Sequence, residues 1–199
     1  MSTPSTRAQL AGTLALALTL TVAVAAQSRK TEPQQLDRAT ALAAFERIKT
    51  LDGTWLSKSS KGWEERQQFR IIANGTAVAS QSMPTASADG SKGKTSPNAP
   101  MLTMFHMDGD RLLLTHYCEA GNQPRMIATA AEDGGFTVRF SFLDATNMPL
   151  PTTGHMHAVV ITFLDRNHFD ERWSWYENGE EKWMETVHNE LMPSAAGQP

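Results

Sequence analysis

The apolar positions change period once along the chain. Between Leu36 and Thr50, Leu42, Phe45 and Ile48 recur at i, i+3 and i+6 with Ala41, Ala43 and Ala44 between them, while Asp37, Glu46 and Arg47 supply a polar side. That spacing predicts one amphipathic helix. After residue 51 the pattern becomes short runs of β-branched and aromatic residues, punctuated by Asn74-Gly75, Asp108-Gly109, Gly134-Gly135 and Asn178-Gly179. Such dipeptides between period-two runs mark hairpins. They predict strands over 53–59, 63–72, 76–82, 101–107, 111–118, 124–131, 135–143, 155–164, 168–177 and 180–190. No helical crossover pattern interrupts them. The expected fold class is therefore all-β: an antiparallel up-and-down β-barrel of about ten strands preceded by one short α-helix, since closure removes the two edges of a long meander. A β-sandwich is the alternative, with longer Greek-key connections.

The first segment follows a different rule. Arg7 is the one charge before Leu10–Ala25, a run of apolar and small residues that ends in Ala23-Val24-Ala25, a small-x-small cleavage site. The run is shorter than the ~20 residues that span a bilayer comfortably. Residues 1–25 are expected to be a signal peptide, the alternative being a retained N-terminal anchor. A polar leader over 26–35, one helix-plus-barrel domain over 36–192, a flexible loop over 84–100 and a loose tail over 193–199 complete the expected organisation. Export to the periplasm or outside the cell follows, with no stable membrane insertion once the signal is removed.

Composition narrows the partners. Eighteen Lys+Arg against 21 Asp+Glu give a formal charge of −3, which does not suit a polyanion and so argues against nucleic acid. One cysteine excludes an internal disulfide. Phosphate loops, nucleophile elbows and Cys-x-x-Cys pairs are absent from the sequence, which lowers an enzymatic reading without removing it.

Strand alternation sorts the candidate side chains. Leu112, Leu114, His116 and Cys118 share one face of their strand, with Leu113, Thr115 and Tyr117 on the other; Trp173 and Trp175 are co-facial. Trp63, Glu65, Gln67, Phe69 and Ile71 fall together, giving either a polar patch inside the barrel or an open rim. Strict alternation also puts His155 and His157 on the face of Val159 and Ile161. A His-x-His pair spaced about 6–7 Å along a strand can converge on one metal if a third ligand comes from a neighbour. His116 or Cys118 is the candidate for that place, which makes zinc, copper or haem the cofactors to test, Met104, Met126 and Met156 adding soft ligands for copper. The alternative is imidazoles hydrogen-bonded at the barrel mouth. Cys118 reads as a buried apolar thiol rather than a nucleophile. Arg125 is the candidate for holding a carboxylate, its guanidinium binding two oxygens at once, or else it pairs with Glu119 or Asp144.

Leu51-Asp52-Gly53-Thr54-Trp55, opening the first strand after a helix, resembles the G-x-W entry of calycin barrels: lipocalins, fatty-acid-binding proteins and their nitrobindin-like relatives. The segment 101–126, with Thr115-His-Tyr-Cys-Glu-Ala-Gly-Asn-Gln-Pro-Arg125 as its most specific element, is similar to a group of exported bacterial proteins of unknown function, as are 140–148, 154–157 and 171–181. The resemblance implies a lipocalin-like barrel and no particular reaction. Three readings stay open. One is an exported barrel holding an apolar or amphipathic small molecule, with Arg125, Tyr117, His116, Trp173 and Trp175 near its mouth. The second is a metal or haem barrel using His155, His157, His116 and Cys118. The third is a structural module with a filled interior.

Overall fold

The helix forms where its apolar stripe can seal something. In the computed structural model, which describes residues 34–84, 100–132, 134 and 136–193, α1 runs Arg38–Lys49. Asp37 caps it, its carboxylate accepting from the Thr40 amide at 3.0 Å and from the Thr40 hydroxyl at 2.7 Å, which satisfies otherwise orphaned donors of the first turn. Ala41, Ala44, Phe45 and Ile48 are buried, the i, i+3, i+4, i+7 stripe of a helix lying on a core. Leu42 instead remains 37% exposed, so the predicted Leu42–Phe45–Ile48 face is corrected by about one helical position.

Ten strands follow among the described residues: β1 Gly53–Ser59, β2 Glu64–Ile72, β3 Ala77–Pro84, β4 Leu102–Asp108, β5 Arg111–Tyr117, β6 Gln123–Glu132, β7 Thr137–Thr146, β8 His155–Phe163, β9 His168–Glu177 and β10 Glu180–Leu191. Each pairs antiparallel with its sequence neighbour, and β1 also pairs with β10 through Trp55–Leu191 to Ser59–Val187. The sheet is a closed up-and-down barrel, as the hairpin spacing predicts. The Asn178-Gly179 turn shows why those dipeptides carry the signal: both residues hold positive φ, 55° and 77°, as a tight two-residue hairpin requires. The expected signal segment, the expected leader through residue 33, residues 85–99 of the expected loop and residues 194–199 of the expected tail lie outside the described residues.

The interior is divided. Near α1 it is apolar and filled: Trp55, Phe69, Phe105, Phe140, Phe169, Leu112, Leu114, Met126 and Ile161 are essentially inaccessible and join the helix stripe in one cluster. Phe169 meets Trp55 and Phe69 edge-on, with ring centroids 4.7 and 5.6 Å apart, a favoured aromatic geometry. Trp55 also donates from its indole nitrogen to the Leu51 carbonyl at 2.8 Å, tying the G-x-W strand to the end of the helix. Farther along the same inward faces the residues turn polar, and the packing loosens.

Candidate functional site

The inward alternation of β1 passes from Trp55 to Ser57 and Ser59; that of β2 from Phe69 back to Gln67 and Glu65; that of β9 from Phe169 to Glu171 and Trp173. All of these except Trp173 are buried. With Ser80, Ser82, Thr103, His116, Glu185 and Asn189 they form the polar half of the barrel. Buried polar groups are costly unless satisfied, and here a network satisfies most of them. Ser57 donates to Asn189 at 2.6 Å, Gln67 donates to Ser80 at 2.9 Å, and Ser59 donates to Glu185 in a very short contact. Glu171 accepts from Gln67, Asn189 and Trp173.

A cavity of about 60 Å³ remains, lined by Trp63, Glu65, Gln67, Ser80, Ser82, Met101, Thr103, His116, Met156, Glu171, Trp173, Glu185 and Val187. It adjoins a wider mouth that shares Trp63, Met101, Met156 and Glu185 and adds Lys61, Cys118, Trp175 and Trp183. Trp175 and Trp183 lie parallel there, 5.9 Å apart, and Lys61 sits 3.6 Å from the centre of the Trp183 ring and 3.5 Å from Glu185. Trp175 is wedged against Gly154, where even a methyl group would collide with the indole. Asn122 secures that approach by donating to the Gly154 carbonyl at 2.8 Å.

Two buried ionisable groups set the electrostatics. His116 is 4% exposed; its Nδ1 lies 2.9 Å from the Thr103 hydroxyl and its ring rests against Trp173 at 4.9 Å. Its Nε2 is fully buried and has no hydrogen-bond partner. Desolvation pulls its pKa down to about 4, so the imidazole is neutral at physiological pH. Glu171 is pushed up to about 7, chiefly by burial and further by the neighbouring Glu65, against the hydrogen bonds from Gln67, Asn189 and Trp173. Both groups line the same cavity, and burial shifts each against its charged form, which makes the cavity the candidate site.

The structure brings together only part of the sequence-derived set. His116 and Trp173 line the cavity and Trp175 lines its mouth. Tyr117 lies on the outer face, 48% exposed, because it has the parity of Leu113 and Thr115 rather than of His116. Arg125 pairs opposite Thr115 on that outer face and grips Asp144 with two nitrogens, so the structure takes the ion-pair alternative. Both residues are corrected from mouth to exterior.

His155 and His157 are corrected as well. An extra residue, His157, lies between the paired positions Met156–Trp175 and Ala158–Ser174. This bulge breaks the alternation, so Met156 reaches the cavity while Val159 packs in the core. The two histidines touch each other, His155 Nε2 to His157 Nδ1 at 3.0 Å; His157 stacks with Phe142 and Tyr176, and His155 meets Phe142 at a tilt. His155 Nδ1 is engaged by the Thr153 carbonyl at 2.8 Å, which leaves neither of its nitrogens for a metal. Among the described residues no group of three or more His, Cys, Asp or Glu is placed to hold a metal ion. Haem fits no better: the space beside the unpaired His116 nitrogen is well below the roughly 300–1,000 Å³ of ordinary cofactor pockets. Cys118 lines the mouth, partly buried, and burial raises its thiol above the usual range, the opposite of a nucleophile's tuning.

Sequence reasoning missed Glu171, Glu185 and the serine ladder of β1 and β3. The parity was available, since Glu171 shares the face of Trp173, but nothing in the local pattern says which face turns inward. No helix among the described residues is long and apolar enough to cross a membrane.

Comparison with known proteins locates the fold and stops there. No family model matches the chain, and no curated protein matches it significantly. Among solved structures, Rv2717c from M. tuberculosis is similar over 75% of this chain and 98% of its own, at 12% identity and a TM-score of 0.52. A protein of unknown function from the DUF3598 family of Nostoc punctiforme matches over 73% of this chain and 49% of its own, at 10% identity and a TM-score of 0.46. At such identities the first likeness shows a shared barrel fold alone, and the second carries no argument.

Proposed function

We propose that this chain is an exported binding protein whose barrel interior holds the polar head of a small amphipathic molecule. The observation that carries the reading is the unpartnered Nε2 of His116, fully buried in the wall of a polar cavity. A native protein leaves few such atoms unsatisfied, and a ligand hydrogen bond would remove the penalty of about 1–3 kcal/mol. The tryptophan-lined mouth supports an apolar portion beyond the head. Export rests on the Leu10–Ala25 run and its Ala23-Val24-Ala25 ending.

Native mass spectrometry of protein isolated from its host tests the binding reading. The expected result is a stoichiometric small-molecule adduct that disappears in Ser82→Leu, which fills the cavity, with the circular dichroism spectrum unchanged. An adduct-free wild-type protein, or an adduct that survives the cavity-filling substitution, refutes it. N-terminal sequencing of the same material tests export. A start at Ala26 or Gln27 is expected, and an intact leader refutes cleavage.

A further inference from the structure

Resting on that binding reading, we infer that the head group held in the cavity is a protonated amine, an organic ammonium with at least one N–H to spare for His116. Three carboxyl side chains, Glu65, Glu171 and Glu185, line about 60 Å³ of space, and none of the described lining residues is Lys or Arg. Lys61 at the mouth pairs with Glu185 at 3.5 Å and lies over the Trp183 ring, so it offsets one carboxylate from outside the cavity. Negative charge held in a desolvated wall favours a cationic guest, because an ion pair with good hydrogen-bond geometry offsets what burial of the carboxylate costs.

The independent observation is the imidazole. The Thr103 hydroxyl, 2.9 Å from Nδ1, can accept from or donate to that nitrogen; we take the tautomer with its proton on Nδ1, which donates to Thr103 and leaves a lone pair on Nε2. In that tautomer Nε2 accepts from an ammonium N–H, while the opposite tautomer would make it a donor. The walls agree: Trp63 and Trp173 present indoles to the same space, and cations are drawn to indole faces. A cavity of about 60 Å³ limits the buried part to a small aminoalkyl head.

Binding strengthens with pH. Among the described residues, Glu65 from β2 acts directly on Glu171, and Glu185 from β10 and His116 from β5 line the same cavity, with Ser80 and Ser82 of β3, Thr103 of β4 and Met156 of β8 as its neutral wall. His116 stays neutral above about 4, and burial together with the neighbouring Glu65 delays ionisation of Glu171 to about 7.

Calorimetric titration of the full chain with n-propylammonium, 1-propanol and propionate at pH 8 separates the chemistries. Saturable binding of propylammonium in preference to its neutral and anionic counterparts is expected. Glu171→Gln weakens it by about thirtyfold or more, the change corresponding to roughly 2 kcal/mol for removing one partner of a buried charge pair. The exposed Glu180→Gln leaves it unchanged. Propanol or propionate binding as tightly as the ammonium, undiminished ammonium binding in Glu171→Gln, or no saturable binding of propylammonium overturns the inference. The host-adduct experiment decides separately whether the cavity takes a ligand at all.

Discussion

Replacing Glu171 by glutamine isolates the cost of ionising a carboxyl inside this barrel. Glu171 is 3% exposed and its pKa rises from 4.5 to about 7 on folding. Between those values the native chain keeps a proton that the unfolded chain has released, so stability falls as pH rises. At 1.36 kcal/mol per pKa unit, the loss between pH 4.5 and 7 is on the order of 3 kcal/mol. His116 runs the other way: its pKa falls from 6.5 to about 4, so the native chain binds fewer protons and stability is lost as pH falls through that window. The two slopes oppose each other between about 4.5 and 6.5 in the wild-type protein, which makes its own pH profile a poor readout. Glu171→Gln removes one slope and leaves the other. Urea unfolding of both proteins from pH 4 to pH 8 should show the variant gaining on the wild type by about 3 kcal/mol as pH rises from 4.5 to above 7. Altered hydrogen bonding to Gln67, Asn189 and Trp173 adds an offset that does not vary with pH. A stability difference that stays constant across this range, or shrinks with rising pH, would refute the elevated carboxyl.

Three further outcomes follow from the packing. Phe169→Ala removes the ring between Trp55 and Phe69 and should lower unfolding free energy by about 3–5 kcal/mol in denaturant titration, as large core truncations do. Arg125→Ala breaks an exposed pair with Asp144; it should change stability by less than about 1 kcal/mol and leave the yield of the host adduct unaltered. Gly154→Ala forces the Trp175 indole off its present position, which should be visible as a change in the near-ultraviolet circular dichroism of the Trp175–Trp183 pair. An unchanged aromatic spectrum would show that the loop yields instead.

Period and turn chemistry made most of the barrel legible. Ten alternating runs between tight-turn dipeptides leave little choice but a meander, and β1 and β9 span the predicted residues while the other strands shift by one to three at their ends. The helix phase slipped because alanines carry little hydrophobic weight, yet Ala41 and Ala44 sit where close approach to the barrel demands small side chains. The histidine assignment failed at one residue. A β-bulge leaves no mark in the alternation of His155-Met156-His157-Ala158, since methionine and alanine suit either face, and one inserted residue reverses everything beyond it. Arg125 and Tyr117 were drawn to the mouth by their chemistry, although their parity relative to His116 already opposed it. The polar half was legible only in Glu65 and Gln67 beside Phe69, because serine and threonine alternating with aromatics read equally well as an outer face.

The most direct test of the central claim is the nitrogen spectrum of the His116 imidazole, recorded with and without the small-molecule extract of the host. A ligand seated in the cavity should move the Nε2 resonance of His116 as that atom gains a hydrogen bond, while the surface histidines His168 and His188, paired with Asp165 and Asp170, stay in place. A His116 signal unmoved by the extract, in a protein with native dispersion, would contradict the account.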